Sequence, residues 1–214
     1  DCALGEGNPG DYAVLAELVR PIREGGIPIH FVMGNHDNLE NFYKTFPDAK
    51  PKGNPPLPGE HVGVVTSPRA DWVLLDSLQR SNHTPGLLGE AQLKWLAGRL
   101  DAKPRRPALV VAHHNADRRK KPSGLVDTDA LFEVLSPRKQ AKAYFYGHSH
   151  AWHHAKMPDA LHLVNLPTLV WVFDKTQPRG WVDAQLRPDG VTLTLSALDK
   201  SHPRHGQKLE VAWR

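Results

Sequence analysis

The chain has 214 residues, 27 Lys and Arg against 23 Asp and Glu, and 40% hydrophobic residues. These are values of one ordinary globular domain, and they exclude a disordered tail, a fibrous repeat and a coiled coil. The net charge of +4 is weak evidence for a polyanionic partner, and no run of about 18 apolar residues or charged leader marks a membrane span or signal peptide. With Cys2 the single cysteine, any metal must be held by His, Asp, Glu or Asn, and thirteen histidines are available.

Residues 11–24 read as a helix capped by Asp11, with Val14, Leu15, Leu18, Val19 and Ile22 on one face, a kink at Pro21 and a stop at Gly25-Gly26. Residues 29–33 form a short apolar run ending at Gly34, as expected of a buried strand feeding a loop, and residues 39–46 follow as a short helix. Proline and glycine crowd residues 47–59, which read as a surface loop. Strands are expected at 62–66, 72–75, 108–112 and 143–146, and helices at 90–100, with Leu93, Leu96, Ala97 and Leu100 in phase, and at 127–135. Beyond residue 150 helical periodicity stops. Strand-like runs recur at 161–164, 169–173, 181–186 and 191–195, the last two joined by a Pro188-Asp189-Gly190 hairpin signal. Alternating strands and helices followed by antiparallel strands fit an α/β fold of two packed sheets with helices outside, and no linker divides residues 1–214.

Three strand ends deliver polar clusters: Gly34-Asn35-His36-Asp37, His113-His114-Asn115 and Gly147-His148-Ser149-His150. Ligands of open α/β sheets bind beyond the carboxyl ends of strands, so the fold is expected to bring these clusters together. On an extended segment His148 and His150 would share one side while Ser149 faces away. His30, His61, His83, His162, His202 and His205 read as plain polar surface residues, and His153 and His154 as pocket lining or exposed. The run Arg118-Arg119-Lys120-Lys121 is either an overhang attracting an anionic substrate or a solvated basic turn. It lacks the interleaved aromatics of a nucleic-acid groove. Trp152 and Trp171 read as core or sheet surface, with a base-binding pocket as the alternative.

In this order the Gly-Asn-His-Asp, His-His and Gly-His-Ser-His clusters resemble the calcineurin-like metallophosphoesterases over nearly the whole chain. Residues 72–78, followed by 90–96, are similar to the cyclic-nucleotide-phosphodiesterase-like branch. The resemblance implies a four-layer αββα sandwich of two mixed sheets and a hydrolase acting on a phosphomonoester or phosphodiester, such as a nucleotide, by attack of metal-bound hydroxide. It implies two divalent or mixed-valence ions, of Mn, Fe or Zn, with Asp1, Asn35, His113 and His148 at one and Asp1 and His150 at the other. His36 would protonate the leaving oxygen with Asp37 setting its tautomer, and His114, Arg118 and Arg119 would meet substrate. The family pattern begins with an Asp-x-His strand end before a Gly-Asp, and Asp1 matches that second Asp. The first strand is therefore expected to lie upstream, leaving one tight and one weak metal in the 214 residues. The implied partner is a small anionic phosphoester, with neither membrane nor nucleic acid. A non-catalytic, one-metal binding module on the same fold is the alternative.

Overall fold

The computed structural model describes residues 1–50 and 57–214. The expected loop at 47–59 falls partly outside them, and its described start, Pro47–Ala49, is a single 3-10 turn. Helix α1 (Pro9–Glu24) continues through Pro21, and helix α2 (Leu39–Thr45) follows. Six strands form one sheet: β1 (Gly63–Thr66), β2 (Asp71–Leu74), β3 (Ala108–Val111), β4 (Ala141–Tyr146), β5 (His153–Lys156) and β6 (His162–Asn165). Their order is β1-β2-β3-β4-β6-β5, with β2, β3, β4 and β6 mutually parallel and the two edge strands antiparallel to their neighbours. Strands β7 (Gly180–Arg187), β8 (Gly190–Ala197) and β9 (Lys208–Ala212) make a second sheet, which is wholly antiparallel instead of mixed.

Strand alternation sorts the side chains between two cores. Leu109, Ala143, Phe145 and Val164 face the second sheet and pack on Val191, Leu193, Leu195 and Val211. Their neighbours Val110 and Tyr144 point the other way, onto Leu93, Leu96 and Leu100 of α3 (Gly89–Asp101) and Leu131, Phe132 and Leu135 of α4 (Thr128–Leu135). The stack is thus helices, six-stranded sheet, three-stranded sheet.

Several expectations need correction. Asn8 is the N-cap of α1, and the Asp11 carboxylate three residues on accepts from its backbone N–H at 3.0 Å. The buried side of α1 is Tyr12, with Leu15, Ala16 and Val19 against it, whereas Val14 and Leu18 are 60% and 70% exposed. Residues 29–33 join no ladder. A cleft of about 280 Å³ lined by Ile29, Phe31, Val62, Val64 and Leu74 separates them from β1 and β2, and burial of Phe31 and Met33 against Tyr12, Phe42 and Phe46 holds them instead. Residues 169–173 also pair with no strand, and all of them but the half-buried Val172 are exposed. Trp152, 3% exposed, is core as expected, whereas Trp171 is 43% exposed and lies in no strand.

His61 and His162 are buried rather than surface residues. His61 Nδ1 lies 2.8 Å from Tyr43 Oη, and His162 Nδ1 lies 2.9 Å from His154 Nε2. Burial, helped by the charges of His154 and Lys156, pushes His162 from the ordinary 6.5 down to about 4. Burial also lowers His61. Across that window the unfolded chain binds protons that the folded chain refuses. Stability is therefore full above pH 6.5 and declines as pH falls toward 4. Thermal unfolding midpoints should drop steadily from pH 7 to about pH 4.5, with a shallower slope in His162→Gln. A flat profile would contradict the buried, neutral assignment.

Candidate metal centre

Because β2, β3, β4 and β6 are parallel, their carboxyl ends open on one edge of the sheet. Three residues past β2 stands Ser77, past β3 stand His113 and His114, past β4 stand Gly147 and His148, and β6 itself ends on Asn165. The turn at 34–37 and Asp1 close the ring. His113 Nε2 lies 3.2 Å from Asn35 Oδ1, 3.2 Å from His148 Nδ1 and 3.4 Å from Asp1 Oδ2. His148 Nδ1 lies 3.0 Å from Asn35 Oδ1. Donors that share one ion at roughly 2.0–2.2 Å sit about 3.0–3.5 Å apart in tetrahedral to octahedral arrangements, so these four separations are those of a single coordination sphere. Carboxylate, amide oxygen and two imidazoles, gathered from segments more than a hundred residues apart, fit a divalent transition metal.

The turn carrying Asn35 and His36 is locked by Asp37. Its carboxylate, fully buried, accepts from Gly34 N at 2.8 Å, from Cys2 N at 3.0 Å and from Tyr12 Oη at 3.2 Å. Asp37 therefore does not set the tautomer of His36. That is done by the Gly5 carbonyl, 2.6 Å from His36 Nδ1. Asp37 instead fastens the turn to the Asp1-Cys2 segment, and the backbone N–H of His36 donates to Asp1 Oδ1 at 3.0 Å. Gly34 is required by proximity. A Cβ there would stand 2.0 Å from Asp1 Oδ1 and 2.8 Å from His113 Nδ1.

His148 and His150 do not lie on an extended segment. Both have left-handed backbone, with φ of +64° and +53°, because the chain turns sharply after β4, with Ser149 N donating to the Gly147 carbonyl at 2.7 Å. Such conformations are costly for residues other than glycine and persist where the surroundings enforce them. His148 enters the four-donor group. His150 sits apart, its ring stacked on Phe173 at 4.6 Å and edge-on to Trp171 at 4.9 Å, with Nδ1 buried and without a hydrogen-bond partner.

Burial is the main reason that the three clustered imidazoles titrate low. His113 falls well below its ordinary value, with the α-amino group of Asp1 and the neighbouring histidines adding to the effect. His114 falls to about 3 and His148 to about 4, from the same causes, although the Ser123 carbonyl partly opposes the shift at His148. All three are neutral near pH 7, the form that ligates a metal.

The structure corrects the substrate contacts. His114 is fully buried, and its Nδ1 is 2.8 Å from Ser77 Oγ, so it offers no surface to a substrate. It presents a nitrogen within 4.8 Å of one on each of His113 and His148, and its Nε2 has no hydrogen-bond partner. Ser77 is a site residue that strand-end reasoning applied to β2 would have found. Arg119 makes a buttressed pair with the buried Asp117 at 2.6 Å, and Arg118 pairs with Asp129 at 2.7 Å. Arg119 is thus paired within its own loop and Arg118 with the start of α4, while both side chains stay exposed, 66% and 60%.

The fold and this edge define a metallophosphoesterase. The calcineurin-like phosphoesterase family profile matches residues 4–152, and the chain belongs to that family. It is 32% identical over 150 residues to a probable cyclic nucleotide phosphodiesterase of Rhodopseudomonas palustris, covering 65% of this chain and 50% of that protein. It is 28% identical over 202 residues to the 3′,5′-cyclic adenosine monophosphate phosphodiesterase of Haemophilus influenzae, covering 86% and 67%. The chain thus spans about half to two thirds of the length of these relatives. A dimetal phosphatase of Danio rerio superposes with a TM-score of 0.70 at 13% identity, over 96% of this chain and 79% of that one, a likeness of fold. Among the described residues no helix is long and apolar enough to cross a membrane.

Proposed function

We propose that residues 1–214 form one metallophosphoesterase domain that hydrolyses a small phosphodiester of the cyclic-nucleotide kind. The observation that carries this is the convergence on His113 Nε2 of Asn35 Oδ1, His148 Nδ1 and Asp1 Oδ2 at 3.2–3.4 Å, with His148 Nδ1 and Asn35 Oδ1 themselves 3.0 Å apart. These four would hold one divalent ion, and Asp1 with His150 would contribute to a second; the donor set suits Mn, Fe or Zn alike. When bound, such ions polarise phosphoryl oxygens and lower the pKa of water. The chain's own residues supply positioning and the proton. Asp37 pins the turn, Gly34 leaves room for the Asp1 carboxylate, and the Gly5 carbonyl keeps the proton of His36 on Nδ1. Nε2 of the His36 imidazolium is then the atom that hands a proton to the departing ester oxygen.

Two measurements test this. Turnover of bis-p-nitrophenyl phosphate should require added Mn²⁺ and vanish with a chelator; full metal loading with no turnover on any phosphoester would favour a non-catalytic binding module. His36→Ala should slow esters with poor leaving groups by about 10²–10⁴-fold while sparing p-nitrophenyl esters, because an acid matters most when the leaving oxygen is basic. Equal losses on both, with metal content unchanged, would move His36 to phosphate positioning.

A further inference from the structure

Residues 169–173 leave an apolar strip on the surface beside the site: Leu169, Val170, Trp171 and Phe173 are 59%, 55%, 43% and 72% exposed. Contiguous apolar surface of this kind marks a binding surface more often than chance exposure. The backbone that bears it is fixed at both ends. Gly180 N donates to the Thr168 carbonyl at 2.8 Å, the Arg179 guanidinium donates to the Val170 carbonyl at 3.0 Å, and the Gln177 side-chain oxygen accepts from Trp152 N at 3.0 Å. The rings are therefore exposed without being loose, which keeps the ordering cost of a contact low.

Their placement is specific. Phe173 lies nearly parallel to the His150 imidazole, with 19° between planes and centroids 4.6 Å apart, and is still 72% exposed. Trp171 meets the same imidazole at 67° and 4.9 Å. The two rings form a corner standing on His150, two residues along the chain from His148 of the four-donor cluster. A phosphoester held at that cluster would extend one of its ester substituents toward this corner. Two planar aromatic faces, rather than charged or purely aliphatic side chains, match a flat heteroaromatic ring.

We propose that Trp171 and Phe173 form a stacking subsite for the nucleobase of a nucleoside phosphoester, and so set substrate class at this site. This rests on the phosphoesterase reading above and adds the base as the recognised group.

The test is calorimetric binding of adenosine 5′-monophosphate and of ribose 5-phosphate to the full chain equilibrated with Mn²⁺. The nucleotide should bind roughly 5- to 100-fold more tightly, the range expected of base–aromatic stacking. Phe173→Ala and Trp171→Ala should each pull that ratio toward one through loss of nucleotide affinity. Since Phe173 is 72% exposed, its replacement leaves the core intact. Phe173→Leu, apolar but without a π-face, should lose most of the preference too; retention of the full ratio by that variant would overturn stacking. A parental ratio near one, or no binding of either compound, also overturns the subsite. So does a dimer dissolved by Phe173→Ala with the ratio unmoved, which would assign the strip to a second copy. Turnover of bis-p-nitrophenyl phosphate by the parent reports separately on the phosphoesterase reading. It can persist when the subsite fails, and its absence counts against the reading itself.

Discussion

His113→Ala is expected to abolish tight metal binding and to cut phosphodiester turnover by at least about 10²-fold, since losing even an outer partner of a ligand costs 10–100-fold. His113 is the hub of the cluster. Its Nε2 lies within 3.4 Å of donors on Asn35, His148 and Asp1. Removing it leaves three donors and opens space that water would fill. The side chain is 9% exposed and sits at the end of β3 rather than within the apolar layers, so folding should survive. Elemental analysis after dialysis, with circular dichroism as the check on folding, measures both halves. Retention of parental metal content by the variant would remove His113 from the site.

Gly34→Ala should do comparable damage without deleting any ligand. The added Cβ would stand 2.0 Å from Asp1 Oδ1, 2.7 Å from Asp1 Cγ and 2.8 Å from His113 Nδ1. Neither group can retreat cheaply, because Asp1 Oδ1 accepts the His36 N–H at 3.0 Å and His113 is tied to the end of β3. Overpacking of this kind costs about 1–3 kcal/mol, a fall of a few degrees in Tm for a chain of this size, together with displacement of two of the four donors. Gly98→Ala is the control. A Cβ there meets nothing within 4 Å, and Gly98 lies inside α3, where alanine is the better helix former. Tm should hold or rise in the control and metal content should not change. Equal, mild effects at both glycines would mean that the Gly34 contact carries no energy.

The candidate site was legible because its residues follow short apolar runs. Ala108–Val111 and Ala141–Tyr146 announce buried strands, and a parallel sheet places whatever follows them on one edge. What the sequence hid is tertiary. The partner of His36 is a backbone carbonyl at Gly5, thirty-one residues away, which no side-chain pattern marks, and the adjacent Asp37 was the natural but mistaken choice. The turn geometry of His148 and His150 was equally invisible, since residues two apart share a side only where the backbone is extended. Among the elements, the edge strand β5 is hidden by its composition, His153-His154-Ala155-Lys156, which has little apolar content, whereas β9 does carry the alternation of a half-buried strand in Leu209 and Val211 between Lys208 and Glu210 and was overlooked. Residues 169–173 look like a strand by composition, yet a strand is a pairing, and theirs is lacking. On α1 the five residues read as one face divide: Leu15 and Val19 pack beside Tyr12, whereas Val14, Leu18 and Ile22 are exposed.

Four donors from distant segments are expected to share one ion. Anomalous diffraction from crystals of this chain grown with Zn²⁺, recorded on either side of the zinc edge, tests it most directly. A peak is expected about 2.0–2.2 Å from His113 Nε2, His148 Nδ1, Asn35 Oδ1 and Asp1 Oδ2. A peak bound elsewhere, such as at the His154 and His162 pair, with those four atoms ligating nothing, would contradict it.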